Sequence, residues 1–190
     1  MPNDKNSHSL NKNKALFLDR DGVINYDYGY VYKKENFIFR SEIFDICKKA
    51  LFYKFKIIII TNQSGIGQNL YTKKDFDLLN KFMIEKFTAK KIQISDVYYC
   101  PYHPIKGKGK YLKDSYNRKP NPGMLIQASR EHLINLNESI MIGDKETDYK
   151  AAISAKLKYY IDANQKDWDQ KFFKLIYDLR KNKCDNEHNN

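Results

Sequence analysis

The chain has 190 residues, enough for one globular domain with a buried core and no need of disulfide staples. Its residues are 42% hydrophobic and 30% charged, which excludes wholesale disorder, and its longest purely aliphatic run, Ile57 to Ile60, is far too short to cross a bilayer. A net charge of +11 invites an anionic partner, nucleic acid or a phosphorylated small molecule, although Lys is scattered along the chain and a compositional bias toward Lys accounts for the excess equally well.

In chain order, residues 1–13 are polar and rich in Asn and Lys, and read as a tail. The opening MPNDKNSHSLNKNK has no apolar core for a signal peptide, and Cys47, Cys100 and Cys184 are odd in number and widely spaced. The expected compartment is therefore the cytoplasm, with no disulfide framework. Ala15 to Leu18 predicts a first strand, Glu42 to Phe55 a helix, and Lys56 to Ile60 a second strand. Lys73 to Lys90 predicts a helix opened by a Thr72/Asp75 capping box and carrying an apolar stripe of Phe76, Leu79, Phe82, Met83 and Phe87. Then follow a strand over Ile94 to Tyr99, a helix over Gly123 to Asn135, a strand over Ser139 to Ile142, a helix over Thr147 to Ala155 and a strand over Lys158 to Ile161. Phe172, Phe173, Ile176 and Leu179 suggest a closing helix, and residues 181–190 a second polar tail. This alternation predicts an α/β domain over residues 14–180, built from βαβ units with a parallel sheet and right-handed crossovers.

In such sheets ligands bind beyond the carboxyl ends of the strands. Polar clusters fall there repeatedly: Asp19-Arg20-Asp21-Gly22 after the first strand, Thr61-Asn62-Gln63-Ser64-Gly65 after the second, and Gly143-Asp144-Lys145-Glu146-Thr147-Asp148 after the fourth. Two carboxylates two residues apart, joined by a third from another strand, gather charge that a hard divalent ion neutralises, and magnesium suits such oxygen ligands. Thr61 and the amides around Asn62 offer hydrogen bonds to an anion, and Lys119 offers a fixed positive charge. Together these groups describe a phosphoryl-transfer site. No G-x-x-x-x-G-K-[ST] loop is present, which excludes an ordinary P-loop NTPase.

The segments FLDRDGVIN, IIITNQSGIG, RKPNPGM and MIGDKETD, in this order and spacing, resemble the motifs of the haloacid dehalogenase (HAD) superfamily of aspartate-nucleophile phosphatases. Within it the chain is most similar to the heptose-1,7-bisphosphate 7-phosphatases and their histidinol-phosphate phosphatase relatives, from about Ala15 to Ile161. The resemblance implies a three-layer, Rossmann-like sheet with helices on both faces. No insertion is long enough for a separate cap domain, so the site is expected to be open. Asp19 is then the nucleophile and Asp21 the general acid and later base. Asp19, the backbone carbonyl of Asp21, and Asp144 would hold magnesium. Thr61, Asn62, Gln63, Ser64 and Lys119 would bind the transferring phosphoryl group, and Arg118 the substrate's remote phosphate. Asp148 either orients Lys119 or caps the helix that follows.

The implied activity is magnesium-dependent removal of the 7-phosphate of D-glycero-D-manno-heptose 1,7-bisphosphate, in the biosynthesis of nucleotide-activated heptose for lipopolysaccharide or capsule. The segment Asn25-Tyr26-Asp27-Tyr28-Gly29-Tyr30-Val31 and Pro122-Gly123-Met124 favour this branch over histidinol phosphate. A polynucleotide 3′-phosphatase is an alternative suggested by the basic charge, though no Arg-rich or aromatic-interleaved stripe supports nucleic acid as a partner. An inactive phosphosugar- or nucleic-acid-binding protein is a further alternative, opposed by the intact Asp19, Asp21, Lys119 and Asp144. A monomer acting on a small phosphorylated sugar, with no membrane partner, is expected. One departure from the family concerns zinc. Where the family carries ligands of a zinc loop, Cys100 is kept, but Tyr102, Ser115 and Asn117 stand at the other three positions, and Cys100 with His103 cannot complete a tetrahedral site, so zinc is not expected.

Overall fold

The computed structural model describes residues 13–187. Five strands, β1 (Lys14–Leu18), β2 (Phe55–Asn62), β3 (Asp96–Cys100), β4 (Ile140–Gly143) and β5 (Tyr159–Asp162), form one sheet in the order β3-β2-β1-β4-β5. Every pairing is parallel, and β1 lies at the centre with Leu16 opposite Ile57 on one side and Ile140 on the other. The inner strands are apolar on both faces because both are covered, as expected for a parallel sheet.

Alternation along the strands sorts the core into two layers. Leu16, Leu18, Ile57, Ile59, Ile140 and Ile142 face α1 (Ile43–Phe52), α3 (Lys73–Ala89) and α6 (Trp168–Glu187), meeting Ile46, Met83, Phe87, Trp168 and Phe172. Ala15, Phe17, Ile58, Ile60 and Met141 face α4 (Gly123–Glu131) and α5 (Glu146–Ser154), meeting Met124, Leu125, Ala128, Ala151 and Ala152. The result is the expected three-layer arrangement with helices on both faces. α3 opens with the expected capping box, Thr72 and Asp75 exchanging side-chain-to-backbone bonds. No helix among the described residues is long and apolar enough to cross a membrane.

Several boundaries differ from the sequence expectation. α4 ends at Glu131 rather than Asn135 because Leu133 takes a positive φ of 53° and Ile134 bonds back to Ser129, while the Asn135 amide pairs with Asn13. β3 starts at Asp96 rather than Ile94, and a short helix, α2 (Ser64–Gly67), follows β2, which itself extends through Thr61 and Asn62. α6 continues to Glu187, past Lys181 where the sequence suggests a polar tail; residues 1–12 of the expected amino-terminal tail lie outside the described residues.

Candidate active site

The carboxyl ends of β1, β2 and β4 deliver the polar clusters to one edge of the sheet. Asp19, directly after β1, is buried; its Oδ1 accepts the Arg20 amide at 2.7 Å and stands 2.9 Å from Lys119 Nζ. Lys119 enters from the loop before α4, and its Nζ also donates to the Ile60 carbonyl at 2.9 Å and pairs with Asp148 at 2.6 Å. Asp148, fully buried in the first turn of α5, accepts the amides of Asp144 and Lys145 on its other oxygen at 3.2 and 3.1 Å. It therefore both holds Lys119 and caps its helix.

Asp19, Asp144 and Asp148 each bring an oxygen within 4.8 Å of one another. The loops after β1 and β4 come this close because Gly22, at φ +96°, has no side chain: a Cβ there would lie 2.2 Å from Asp144 Oδ2. Burial pushes Asp19 up to about 7 against the pull of Lys119, and burial pushes Asp144 up to about 6. Asp144 Oδ1 is buried with no hydrogen-bond partner. An all-oxygen cluster whose burial resists its own charge, with one orphaned oxygen, fits a hard divalent cation such as magnesium. The Asp21 carboxylate is not part of this cluster, so a contribution from Asp21 would come from its backbone carbonyl.

Asp21 is instead gripped by neutral and cationic donors. Arg20 Nη2 reaches its oxygens at 3.0 and 2.8 Å, Arg20 Nε approaches at 3.2 Å, Asn25 Nδ2 at 3.0 Å, and Gln63 Nε2 at 3.1 Å. Arg20 is almost wholly buried, donates to the Val31 carbonyl at 2.7 Å, and lies between the rings of Phe37 and Phe76.

A cavity of about 310 Å³ opens beside these groups, lined by Asp21, Asn62, Gln63, Ser64 and Arg118 together with Asp27, Tyr30, Tyr71, Lys145 and Thr147. Thr61 is buried at the end of β2, and its Oγ1 accepts from Gln63 Nε2 at 2.8 Å. Asn62 ties β2 to the lysine loop: Nδ2 donates to the Lys119 carbonyl at 2.9 Å and Oδ1 accepts the Lys119 amide at 3.1 Å. The side chains of Asn62 and Gln63 thus brace the site from within. Half-buried Arg118 donates to the Tyr102 carbonyl at 3.0 Å and forms no ion pair among the described residues, which leaves its charge available to the cavity.

From the sequence alone, Lys145 and Arg20 have no individual role, and Asp27 counts only as part of the segment at residues 25–31. Lys145 Nζ pairs with Asp27 at 2.7 Å and lies 3.9 Å from Asp144, where its charge tempers the carboxylate cluster. Burial pushes Asp27 up, but the hydrogen bonds from Lys145 and the Gly29 amide outweigh it and hold the carboxyl below its ordinary value. The position of Lys145 within the cluster after β4 was the available signal; Asp27 pairs with it across 118 residues of sequence, which no local pattern reveals.

The segment between Cys100 and Arg118 is fastened by hydrogen bonds. His103 Nδ1 accepts the amides of Ile105 and Lys106, the His103 amide donates to the Tyr111 carbonyl, the Lys108 amide donates to the Gly67 carbonyl, and Asn121 Nδ2 donates to the Ser115 carbonyl. Cys100 is buried within hydrogen-bond reach of Ser115.

Comparison with known proteins matches this architecture. A HAD-hydrolase-like family model covers residues 116–161. D-glycero-alpha-D-manno-heptose-1,7-bisphosphate 7-phosphatase of Burkholderia mallei is 44% identical over 144 residues, 76% of either chain. D-glycero-beta-D-manno-heptose-1,7-bisphosphate 7-phosphatase of Helicobacter pylori is 44% identical over 150 residues, 78% of this chain and 83% of the relative. The chain belongs to the haloacid dehalogenase-like hydrolases, in the family of the heptose bisphosphate phosphatases. Among solved structures, a protein of Mesorhizobium loti described as a HAD-like phosphatase superposes with a TM-score of 0.81 at 26% identity, covering 88% of each chain. D,D-heptose 1,7-bisphosphate phosphatase from B. bronchiseptica, solved with magnesium and phosphate, superposes with a TM-score of 0.67 at 25% identity over 75% of this chain and 76% of that one. This HAD family member is a phosphoric monoester hydrolase.

Proposed function

We propose that the chain removes the 7-phosphate of D-glycero-D-manno-heptose 1,7-bisphosphate in two steps, with magnesium at Asp19, the Asp21 carbonyl and Asp144. The observation that carries this reading is the placing of two adjacent cations at different depths. Lys119 is buried 2.9 Å from Asp19, while Arg118 lines the open cavity. One suits the phosphoryl group under attack and the other a second phosphate on the same small molecule. The names of the relatives, at 44% identity, support the same substrate.

In the first step an oxygen of Asp19 attacks phosphorus and the bond from phosphorus to the sugar oxygen breaks. Asp21 gives that leaving oxygen a proton. In the second step Asp21 takes a proton from water as the water attacks the aspartyl phosphate, releasing phosphate and restoring Asp19. Lys119 and the Thr61 hydroxyl hold the equatorial oxygens while charge redistributes. Bound magnesium would supply positive charge that keeps Asp19 ionised and offsets the charge on the phosphoryl oxygens.

The test is turnover of heptose 1,7-bisphosphate, both anomers, beside histidinol phosphate and a 3′-phosphorylated oligonucleotide. The bisphosphate is expected to give the highest kcat/KM. A preference for either other substrate would overturn the assignment.

A further inference from the structure

We propose that Tyr71 is a positioning residue for phosphoryl transfer, acting through Gln63 to fix the orientation of Asp21. The inference rests on the reading of Asp21 as general acid and deepens it. Gln63 sits on the boundary between acid and phosphate subsite. Its Nε2 donates to Asp21 Oδ2 at 3.1 Å and to Thr61 Oγ1 at 2.8 Å, while its Oε1 accepts from the Tyr71 hydroxyl at 2.5 Å. A glutamine amide has one acceptor end and one donor end, so its orientation is set by what its neighbours demand. With the Tyr71 proton at the oxygen, the NH2 group must face Asp21 and Thr61. Without that proton nothing holds the oxygen end of the amide, and its orientation rests on Asp21 and Thr61 alone.

The Tyr71 ring is itself fixed. Tyr32 stacks on it with centroids 5.1 Å apart and planes 11° from parallel. Its edge occupies the space left by Gly65, where a Cβ would lie 2.1 Å from Tyr71 Cε1. The residue is 7% exposed and Gln63 2%, so water does not readily replace the phenol as donor. Burial pushes the Tyr71 phenol up, which keeps it protonated at neutral pH. Tyr71 keeps its proton throughout the reaction; the transferred proton moves only between Asp21 and the leaving oxygen or water.

A group that acts through the general acid affects esters with poor leaving groups most. The experiment compares heptose 1,7-bisphosphate, whose alkoxide must be protonated, with p-nitrophenyl phosphate, whose phenolate departs unaided, for the wild type, Tyr71→Phe, Gln63→Leu and Asp21→Asn. Tyr71→Phe is expected to lower kcat/KM, which reports formation of the phosphoenzyme and not its hydrolysis, by roughly three- to tenfold on the sugar phosphate and by less than about twofold on the aryl ester. Gln63→Leu should show the same selectivity, and Tyr71→Phe added to it should cost nothing more. Equal losses of kcat/KM on both esters would mean that Tyr71 only supports the fold, and no loss on either would also overturn the proposal. Asp21→Asn separates the two layers of the argument. If it shows no greater loss on the sugar phosphate, the acid assignment itself fails; if it does and Tyr71→Phe does not, only the positioning role fails.

Discussion

Asp148 and Lys119 meet at 2.6 Å with both side chains closed to solvent, and Lys119 is the same residue that stands 2.9 Å from Asp19. Breaking one partner of a buried ion pair leaves the other charge uncompensated. Asp148→Ala should therefore lower the free energy of unfolding by about 3 kcal/mol, near the low end for such pairs because Asp19 still faces the lysine. Asp148→Asn, which can still accept the amides at the start of α5, should cost less. Urea denaturation of the two variants checks both; an unchanged midpoint for Asp148→Ala would contradict the pairing.

If Asp19 attacks phosphorus, Asp19→Asn should lose all detectable turnover and all acid-stable phosphoenzyme. Rapid quench with radiolabelled substrate makes the measurement. Labelled protein at wild-type level in this variant, with deamidation excluded by mass spectrometry, would rule out the covalent step.

Arg118→Ala should weaken a bisphosphate and leave a monophosphate nearly untouched, because only the former offers a second anion. A charge-assisted contact contributes about 1.5–3 kcal/mol, or roughly 10- to 150-fold in kcat/KM. Parallel kinetics on heptose 1,7-bisphosphate and a heptose monophosphate decide it, and equal losses would remove Arg118 from substrate recognition.

The sequence displays the strands of this fold where they are apolar on both faces, as in Ile57–Ile60 and Ile140–Ile142, and the site where a strand hands over to acidic residues. It is less informative where neighbours decide. β3 is an edge strand that begins on exposed Asp96, and Ile92 and Ile94 preceding it are apolar because they pack against α3's side of the core. Asn62 and Gln63 belong to a segment expected to bind phosphate, yet their side chains face Lys119, Asp21, Thr61 and Tyr71, and only the packing of the β1 and β2 ends against the loops carrying Tyr71 and Lys119 creates those contacts. Arg20 stands between two acids in the motif, but nothing local announces that its guanidinium is buried between Phe37 and Phe76.

Metal dependence should be confined to magnesium. The segment from Cys100 to Arg118 is held by protein hydrogen bonds, and His103 Nδ1 is already engaged with two amides. A zinc-selective chelator should leave the melting temperature unchanged, whereas EDTA should abolish turnover and added magnesium restore it. Elemental analysis of protein purified without added metal provides the check. Near-stoichiometric zinc, lost on Cys100→Ser, would contradict this expectation.

Burial pushes the Cys47 thiol up, and burial does the same for Cys100 against the milder influence of the Tyr102 amide and Ser115. The thiolate is the reactive form, so both should resist iodoacetamide at pH 8 in the folded protein and react readily in urea. Peptide mapping by mass spectrometry distinguishes them; rapid labelling of Cys47 in the folded state would contradict its burial.

The central place of β1, between β2 and β4, divides the candidate active site between two halves of the polypeptide. Everything before the exposed turn at Ile105 contributes Asp19, Asp21 and Thr61; everything after it contributes Arg118, Lys119, Asp144 and Asp148. The first half alone holds Asp19 with no counter-charge from Lys119, and the second holds Lys119 without Asp19. Neither half alone carries the proposed centre, which comes together where Leu16–Leu18 pairs with Ile140–Ile142 on one side and with Ile57–Ile59 on the other.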